Sequence, residues 1–267
     1  MDALIASYGA GDDDCSDSEG TKLAPFPPPP LSLLSPSGTD DPRPSRVRSF
    51  PHVQGNYSLH VYIPVQVRGP PRREIAAVLK RAASVVPGLC VVDIDLPLES
   101  LVRDDQRLHQ LGIDREFHIS LGRCVPIRVH QIDSVVSILR QKLHPPKRYW
   151  IEFSEWQVFV NDERTRSFLS LEVTTRGLGE IRKQIEGVNE VYRLHNLPEF
   201  YKDPRPHISL AWAAGDARES LNKVVEDNKL RRITYGLSNV PVFGCNFGGV
   251  ECKIGKKTYK ICKPPDS

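Results

Sequence analysis

The stretch Phe117-His118-Ile119-Ser120-Leu121 returns near the other end of the chain as Pro206-His207-Ile208-Ser209-Leu210, with the two histidines 207 − 118 = 89 residues apart. In an extended strand successive side chains point to opposite faces, so His118 and Ser120 share one face while Phe117, Ile119 and Leu121 share the other. The second copy alternates in the same way, His207 and Ser209 against Ile208 and Leu210. Each copy therefore reads as a half-buried strand whose apolar face packs on a core and whose polar face carries an imidazole and a hydroxyl at fixed spacing. A match this short also arises by chance, and most histidines are surface groups or satisfied core groups. What favours a paired site is the strand-like setting of both copies and a separation that suits two structural halves meeting at one groove.

The 267 residues, 39% of them hydrophobic, can form one larger domain or two intimate lobes. The apolar content is uneven. Residues 1–45 hold Asp12-Asp13-Asp14, Asp17, Glu19 and then Pro27-Pro28-Pro29-Pro30, with many serines and no periodic pattern. Such a composition cannot bury enough apolar surface to offset chain ordering, so a disordered acidic, proline-rich tail is expected over 1–45 and a folded domain over 46–267. The acidic start argues against a signal peptide, and no run of eighteen apolar residues suggests a membrane span. A net charge of +3 that includes this acidic start leaves the folded part more basic, which suits a polyanionic partner. Cys15, Cys90, Cys124, Cys245, Cys252 and Cys262 contain no C-x-x-C pair and read as reduced thiols of the nucleus or cytosol. The last three, seven and ten residues apart, fit no common zinc spacing and read as ordinary strand cysteines.

Periodicity supplies the element order. Ser58 to Pro64 reads as the first strand, ended by its proline; on it His60 could by alternation face the cleft, but a structural or surface role is the reading preferred. Pro70-Pro71 opens a helix in which Ile75, Leu79, Ala82 and Val86 recur at helical spacing until Pro87-Gly88. Val91 to Ile94 is a second strand. His130 to Leu143 is a helix with Ile132, Val135, Val136, Leu139 and Leu143 on one face. Tyr149–Asn161 and Ser167–Thr175 form a hairpin across the polar stretch from Asn161 to Arg166. A helix over Gly177–Leu194 leads to the second histidine strand. A short helix over Asp216–Val225, capped by Asp216 or Gly215, and glycine-punctuated hairpins between Val240 and Cys262 follow. The order predicts an α+β class: two pseudo-symmetric lobes of largely antiparallel sheet backed by helices, each giving one His-x-Ser strand to a central groove.

Two imidazoles and two hydroxyls in one groove suit phosphoryl transfer within RNA. One imidazole takes the proton of an attacking oxygen and the other gives one to the departing oxygen, each transfer being worth about a hundred- to ten-thousand-fold. The hydroxyls can donate to the non-bridging oxygens as charge builds there. The scheme requires no metal and no cofactor, and the sequence has no paired-carboxylate set for divalent ions. It also lacks a G-x-S-x-G elbow, an H-E-x-x-H motif and a G-x-x-x-x-G-K-[ST] loop.

The paired tetrads in a two-lobed α+β chain resemble the two-histidine (2H) phosphoesterase superfamily. Within it, Arg46-Val47-Arg48-Ser49-Phe50-Pro51-His52, His60-Val61-Tyr62-Ile63-Pro64, Phe200-Tyr201-Lys202-Asp203-Pro204 and the run from His207 to Trp212 are similar to the U6 small nuclear RNA phosphodiesterase (Usb/Mpn) family. The resemblance implies a 3′-to-5′ exoribonuclease, monomeric and nuclear, that trims the oligouridine 3′ end of U6 RNA and leaves a 2′,3′-cyclic phosphate or its opened product. By the same resemblance His118, Ser120, His207 and Ser209 are catalytic and Tyr201 stacks on a base, as a ring face can with any base. Asn161, Asp162 and Arg164 match a loop near the bound nucleotide, with Asp162 standing where a neutral amide is expected. Two other readings remain: a 2H enzyme acting on small cyclic phosphates or transfer RNA ends, and a non-catalytic RNA-binding relative. Intact tetrads oppose the second of these; a basic groove with a stacking tyrosine opposes the first.

Overall fold

The computed structural model describes residues 53–143 and 148–264, so the expected tail over 1–45 and the segment Arg46 to His52 lie outside the described residues. The chain begins with β1 (Asn56–Gln66), α1 (Pro71–Val85), the two-residue β2 (Cys90–Val91) and the short helices α2 (Leu98–Leu101) and α3 (Asp105–Arg107), the last running into a π-helical turn over Leu108–Ile113. β3 (Glu116–Ser120), β4 (Val125–Arg128) and α4 (Ile132–Lys142) follow. The second half holds β5 (Trp150–Val160), β6 (Arg166–Val173), α5 (Leu178–Leu194), β7 (His207–Ala214) and α6 (Arg218–Thr234). Three strands close the chain, β8 (Phe243–Asn246), β9 (Val250–Ile254) and β10 (Lys257–Cys262).

These strands form two five-stranded sheets, one ordered β10-β9-β1-β3 with β4 also on β1, the other β2-β7-β6-β5-β8. Every pairing is antiparallel, and each sheet contains one of the repeated histidine strands, so the fold is the α+β arrangement that the sequence suggests. In β3 Phe117 and Ile119 are buried while His118 and Ser120 are half-exposed, and in β7 Ile208 and Leu210 are buried beside half-exposed His207 and Ser209. The apolar backs of both sheets join the helices in one buried cluster. α4 packs on β10 and α5; α6 packs on β5 and α1.

β1 does not stop at Pro64. The Leu121 N–H donates to the Val61 carbonyl at 2.9 Å, so odd-numbered residues of β1 present their backbone groups to β3 and even-numbered ones to the opposite side. On that opposite side β9 pairs only with Leu59–Tyr62, so the N–H that Pro64 lacks would have met no partner strand. Its side chain and that of His60 thus share a face with Tyr62. The expected strand over Val91–Ile94 is also corrected: pairing ends at Val91 because Asp93 (φ 70°) and Asp95 (φ 52°) take left-handed conformations that turn the chain. α6 runs nine residues past its expected end at Val225, to Thr234. Its buried residues are Leu221 and Val224, which leaves little apolar periodicity to read.

At the C-terminus the expected hairpins separate. β9 and β10 pair with each other in the first sheet, but β8 crosses to the second and pairs with β5 between Trp150 and Phe153. Cys245, Cys252 and Cys262 are free and divided between the two sheets. Burial pushes the Cys245 thiol up to about 11 and that of Cys252 to about 12, so both stay protonated as packed strand residues.

Candidate active site

The two sheets meet where β3 and β7 run close together, with Cα atoms of one strand within 8 Å of the other. Because the pleat turns Phe117, Ile119, Ile208 and Leu210 into the core, His118, Ser120, His207 and Ser209 emerge on the opposite faces beside this seam. The repeat is symmetric in sequence. Its surroundings are not.

On the β3 side, β1 adds a third imidazole. Tyr62 is registered opposite Ser120 and Pro64 opposite His118, which sets His60 and Tyr62 against the histidine strand on the same face. The His60 ring stands edge-on to His118 at 4.9 Å between centroids, and its Nε2 lies 3.0 Å from Ser120 Oγ. Burial, then the neighbouring His118, pushes His60 down to about 3, so it is neutral throughout the physiological range. His60 therefore belongs to the site, and the expectation of a separate structural or surface role is corrected: its position follows from register, which alternation within one strand does not reveal. Asp93 Oδ2 lies 3.7 Å from His118 Nδ1 and accepts from Arg115 Nη1 at 3.3 Å.

On the β7 side the histidine is held by backbone and ring. His207 Nδ1–H donates to the Arg205 carbonyl at 2.7 Å, which leaves Nε2 as the ring's proton acceptor. Phe159 stacks on the imidazole at 4.0 Å with 13° between planes. The Arg205 guanidinium lies over the other member of that stack, 4.9 Å from the Phe159 centroid, and is gripped by both carboxylate oxygens of nearly buried Glu172. Burial lowers the His207 pKa, and it outweighs the opposing pull of the Arg205 carbonyl and the Glu172 charge; the charge on His118 lowers it further. Ser209 Oγ pairs with Ser170 Oγ at 3.0 Å, across the β6–β7 register.

Tyr201 is 45% exposed, and Arg123 lies over one face of its ring at 4.2 Å. Asp162 joins them, accepting from Arg123 Nη1 at 3.2 Å and from the Tyr201 hydroxyl at 3.5 Å. Arg123 thus offsets the charge of the Asp162 carboxylate. Asn161 is engaged inside its own turn: its Nδ2 donates to Glu163 Oε2 at 2.7 Å and Thr165 Oγ1 at 2.8 Å, and its Oδ1 accepts from the Arg166 N–H at 2.8 Å. Arg164 occupies the exposed tip of that turn in a left-handed conformation, φ 53°. Asp162 and Tyr201 are thus brought together, whereas the side chain of Asn161 serves the hairpin.

Asp93, Phe159, Ser170, Arg123 and Arg205 were not legible as site residues, and for His60 alternation offers the cleft-facing option without selecting it. Arg205 and Arg123 lie within three residues of a tetrad histidine or serine, the one signal that pointed to them. Among the described residues, no group of three or more His, Cys, Asp or Glu side chains is arranged to hold a metal ion.

The sequence profile of the HVSL family, described as an uncharacterised conserved protein, matches residues 34–262. The U6 snRNA phosphodiesterase 1 of Xenopus laevis is 30% identical to this chain over 96% of it and 98% of that protein. The Homo sapiens U6 snRNA phosphodiesterase 1 is 30% identical over 81% of this chain and 73% of its own length. Among solved structures, Kluyveromyces marxianus Usb1 with uridine monophosphate has the same fold, with a TM-score of 0.51 at 13% identity, covering 78% of this chain and 97% of that one.

Proposed function

We propose that this chain, which belongs to the HVSL family, is an RNA phosphodiesterase that trims the oligouridine 3′ end of U6 snRNA in the nucleus as a 3′-to-5′ exonuclease. The observation that carries the reading is the pair of His-x-Ser strands, β3 and β7, side by side with unlike support for their two imidazoles. A relative named U6 snRNA phosphodiesterase 1, matched over 96% of this chain, supports the choice of substrate.

The reaction follows from the asymmetry. His207 is neutral with Nδ1–H committed to a carbonyl, so its Nε2 accepts the proton of the 2′-hydroxyl next to the scissile phosphate. The 2′-oxygen attacks phosphorus, the bond from phosphorus to the 5′-oxygen breaks, and His118, beside a carboxylate, gives its proton to that oxygen. The shortened RNA ends in a 2′,3′-cyclic phosphate and the terminal nucleoside leaves with a 5′-hydroxyl. Ser120 and Ser209 donate to the non-bridging oxygens, each held from behind at 3.0 Å, by His60 Nε2 and Ser170 Oγ respectively. The exposed side of Tyr201, steadied by Arg123 and Asp162, stacks the base of the 3′ nucleotide. This platform favours a polynucleotide end over a small cyclic phosphate.

The test is incubation of the purified protein with a 3′-oligouridylated RNA in excess chelator, followed by mass analysis of the ends. Stepwise loss of uridine with a cyclic phosphate on the shortened product is expected. Intact RNA, or trimming that requires added divalent metal, would contradict the reading.

A further inference from the structure

The turn after β2 takes an unusual course for residues that have a Cβ. Asp93 and Asp95, two residues apart, both lie in the left-handed region, at φ 70° and 52°. Their side chains go to different sheets. Asp95 Oδ1 accepts from Trp212 Nε1 at 2.9 Å, on the same strand as His207, while the Asp93 carboxylate reaches the His118 ring on β3 and Arg115 just ahead of it. The backbone fixes the turn from both ends: Val91 N–H donates to the Leu96 carbonyl at 2.9 Å, Asp95 N–H to the Val91 carbonyl at 3.0 Å, and Val92 N–H to Leu210 of β7 at 3.3 Å. Backbone strain of this kind is retained where the surroundings impose it and is concentrated at working sites.

From this geometry we infer that Asp93 is a positioning residue that keeps His118 in its proton-bearing form, facing the leaving oxygen. The inference rests on the assignment of His118 as the acid in the reaction above. The groups around His118 show what the carboxylate contributes. His60 and Tyr62 come from β1, His207 from β7 and Arg115 from just ahead of β3, with Glu116 on β3, Glu251 and Lys253 on β9 and Glu172 on β6 around them. Neutral His60 and Tyr62 give no compensating charge. Arg115 and any charge on His207 oppose a second positive charge; Glu251 is engaged by the Tyr62 hydroxyl and Glu172 by Arg205, and the carboxylate in contact with both the His118 ring and Arg115 is Asp93. Arg115 is in turn held over the Phe117 ring at 4.4 Å, which fixes the carboxylate between guanidinium and imidazole. The same turn ties to β7 through the Asp95 bond to Trp212, so acid and base strands are linked through two aspartates separated by one residue.

Asp93→Asn tests this, because asparagine keeps the shape and tolerates a left-handed backbone but removes the charge. Two substrates separate the roles: uridylyl-(3′,5′)-uridine, whose leaving oxygen needs a proton, and uridine 3′-(4-nitrophenyl phosphate), whose leaving group departs as an anion. The variant is expected to cleave the dinucleotide about ten-fold more slowly or worse. The alkaline limb of its pH profile should move down by about one unit. Its turnover of the nitrophenyl ester should stay within about three-fold of the parent, as for His118→Ala but not His207→Ala. Equal losses on both substrates, or an unmoved alkaline limb, with His118→Ala still relieved by the ester, would overturn the role of Asp93 alone. If the ester instead relieves His207→Ala and not His118→Ala, the acid assignment itself falls and the inference falls with it.

Discussion

At the scale of single residues, burial and hydrogen bonding divide two identical imidazoles into different tools. His207 is disfavoured as a cation chiefly by burial, so its accepting form persists below the pH at which an ordinary histidine of pKa about 6.5 would be half protonated. A depressed value means that activity is lost only as pH falls through it. The acidic limb of kcat/KM should therefore lie below that ordinary value; a limb at or above it would contradict the assignment of His207 as base. His60 makes the opposite kind of contribution. With its value down at about 3 it does not titrate in the working range, and in the proposed reaction it orients the Ser120 hydroxyl toward phosphate. His60→Ala should lower kcat about ten- to a hundred-fold while leaving both pH limbs in place, as steady-state rates across pH will show. Movement of either limb would show that His60 itself carries a proton in the reaction.

At the scale of elements, the exit of β3 couples the site to the helix behind it. Gly122 leaves no room for a side chain: a Cβ there would stand 2.8 Å from the Tyr192 hydroxyl and 3.0 Å from Val188 Cγ1, both on α5. Tyr192 is fully buried and donates to the Arg123 carbonyl at 2.9 Å, which holds the loop that presents Arg123 to Tyr201 and Asp162. Gly122→Ala should cost about 1–3 kcal/mol by overpacking, measured by denaturant unfolding, and weaken RNA binding through the displaced Arg123. Unchanged stability would mean that α5 moves aside freely. The histidine strands were legible in the sequence because alternation is local: Phe117 and Ile119, or Ile208 and Leu210, declare the buried face without reference to any partner. The long helices were legible for the same reason at their own period. Pairing was not, since nothing local says that Pro64 lies opposite His118 or that β8 leaves its neighbours for β5. β4, with two buried residues, and the short turns from α2 to Ile113 bury too little in too few residues to show a period. Asp93 was invisible on every count, because its role depends on a left-handed backbone and a partner 25 residues away.

At the scale of the whole molecule, the proposed reaction assigns binding and chemistry to different residues, Tyr201 with Arg123 and Asp162 on one side and the two tetrads on the other. RNA affinity comes mainly from phosphate charge and base stacking, which the tetrad histidines supply little of. Tyr201→Ala should therefore weaken binding of an oligouridine end by about 1–3 kcal/mol, measured by fluorescence anisotropy, and retain measurable turnover at saturating RNA. Full loss of turnover with unchanged affinity would assign Tyr201 to the chemistry instead. The central claim is that β3 and β7, from two separate sheets, deliver one concerted acid–base step. Its most direct measurement is a double-mutant cycle in kcat on an oligouridine substrate, comparing His118→Ala, His207→Ala and the double substitution. Groups acting in one step are strongly non-additive, so each single variant should lose most turnover and the double variant should be little worse than either. Losses that multiply independently, or a His207→Ala protein that trims at the parent rate, would show that the repeated motif is only a pair of packed strands.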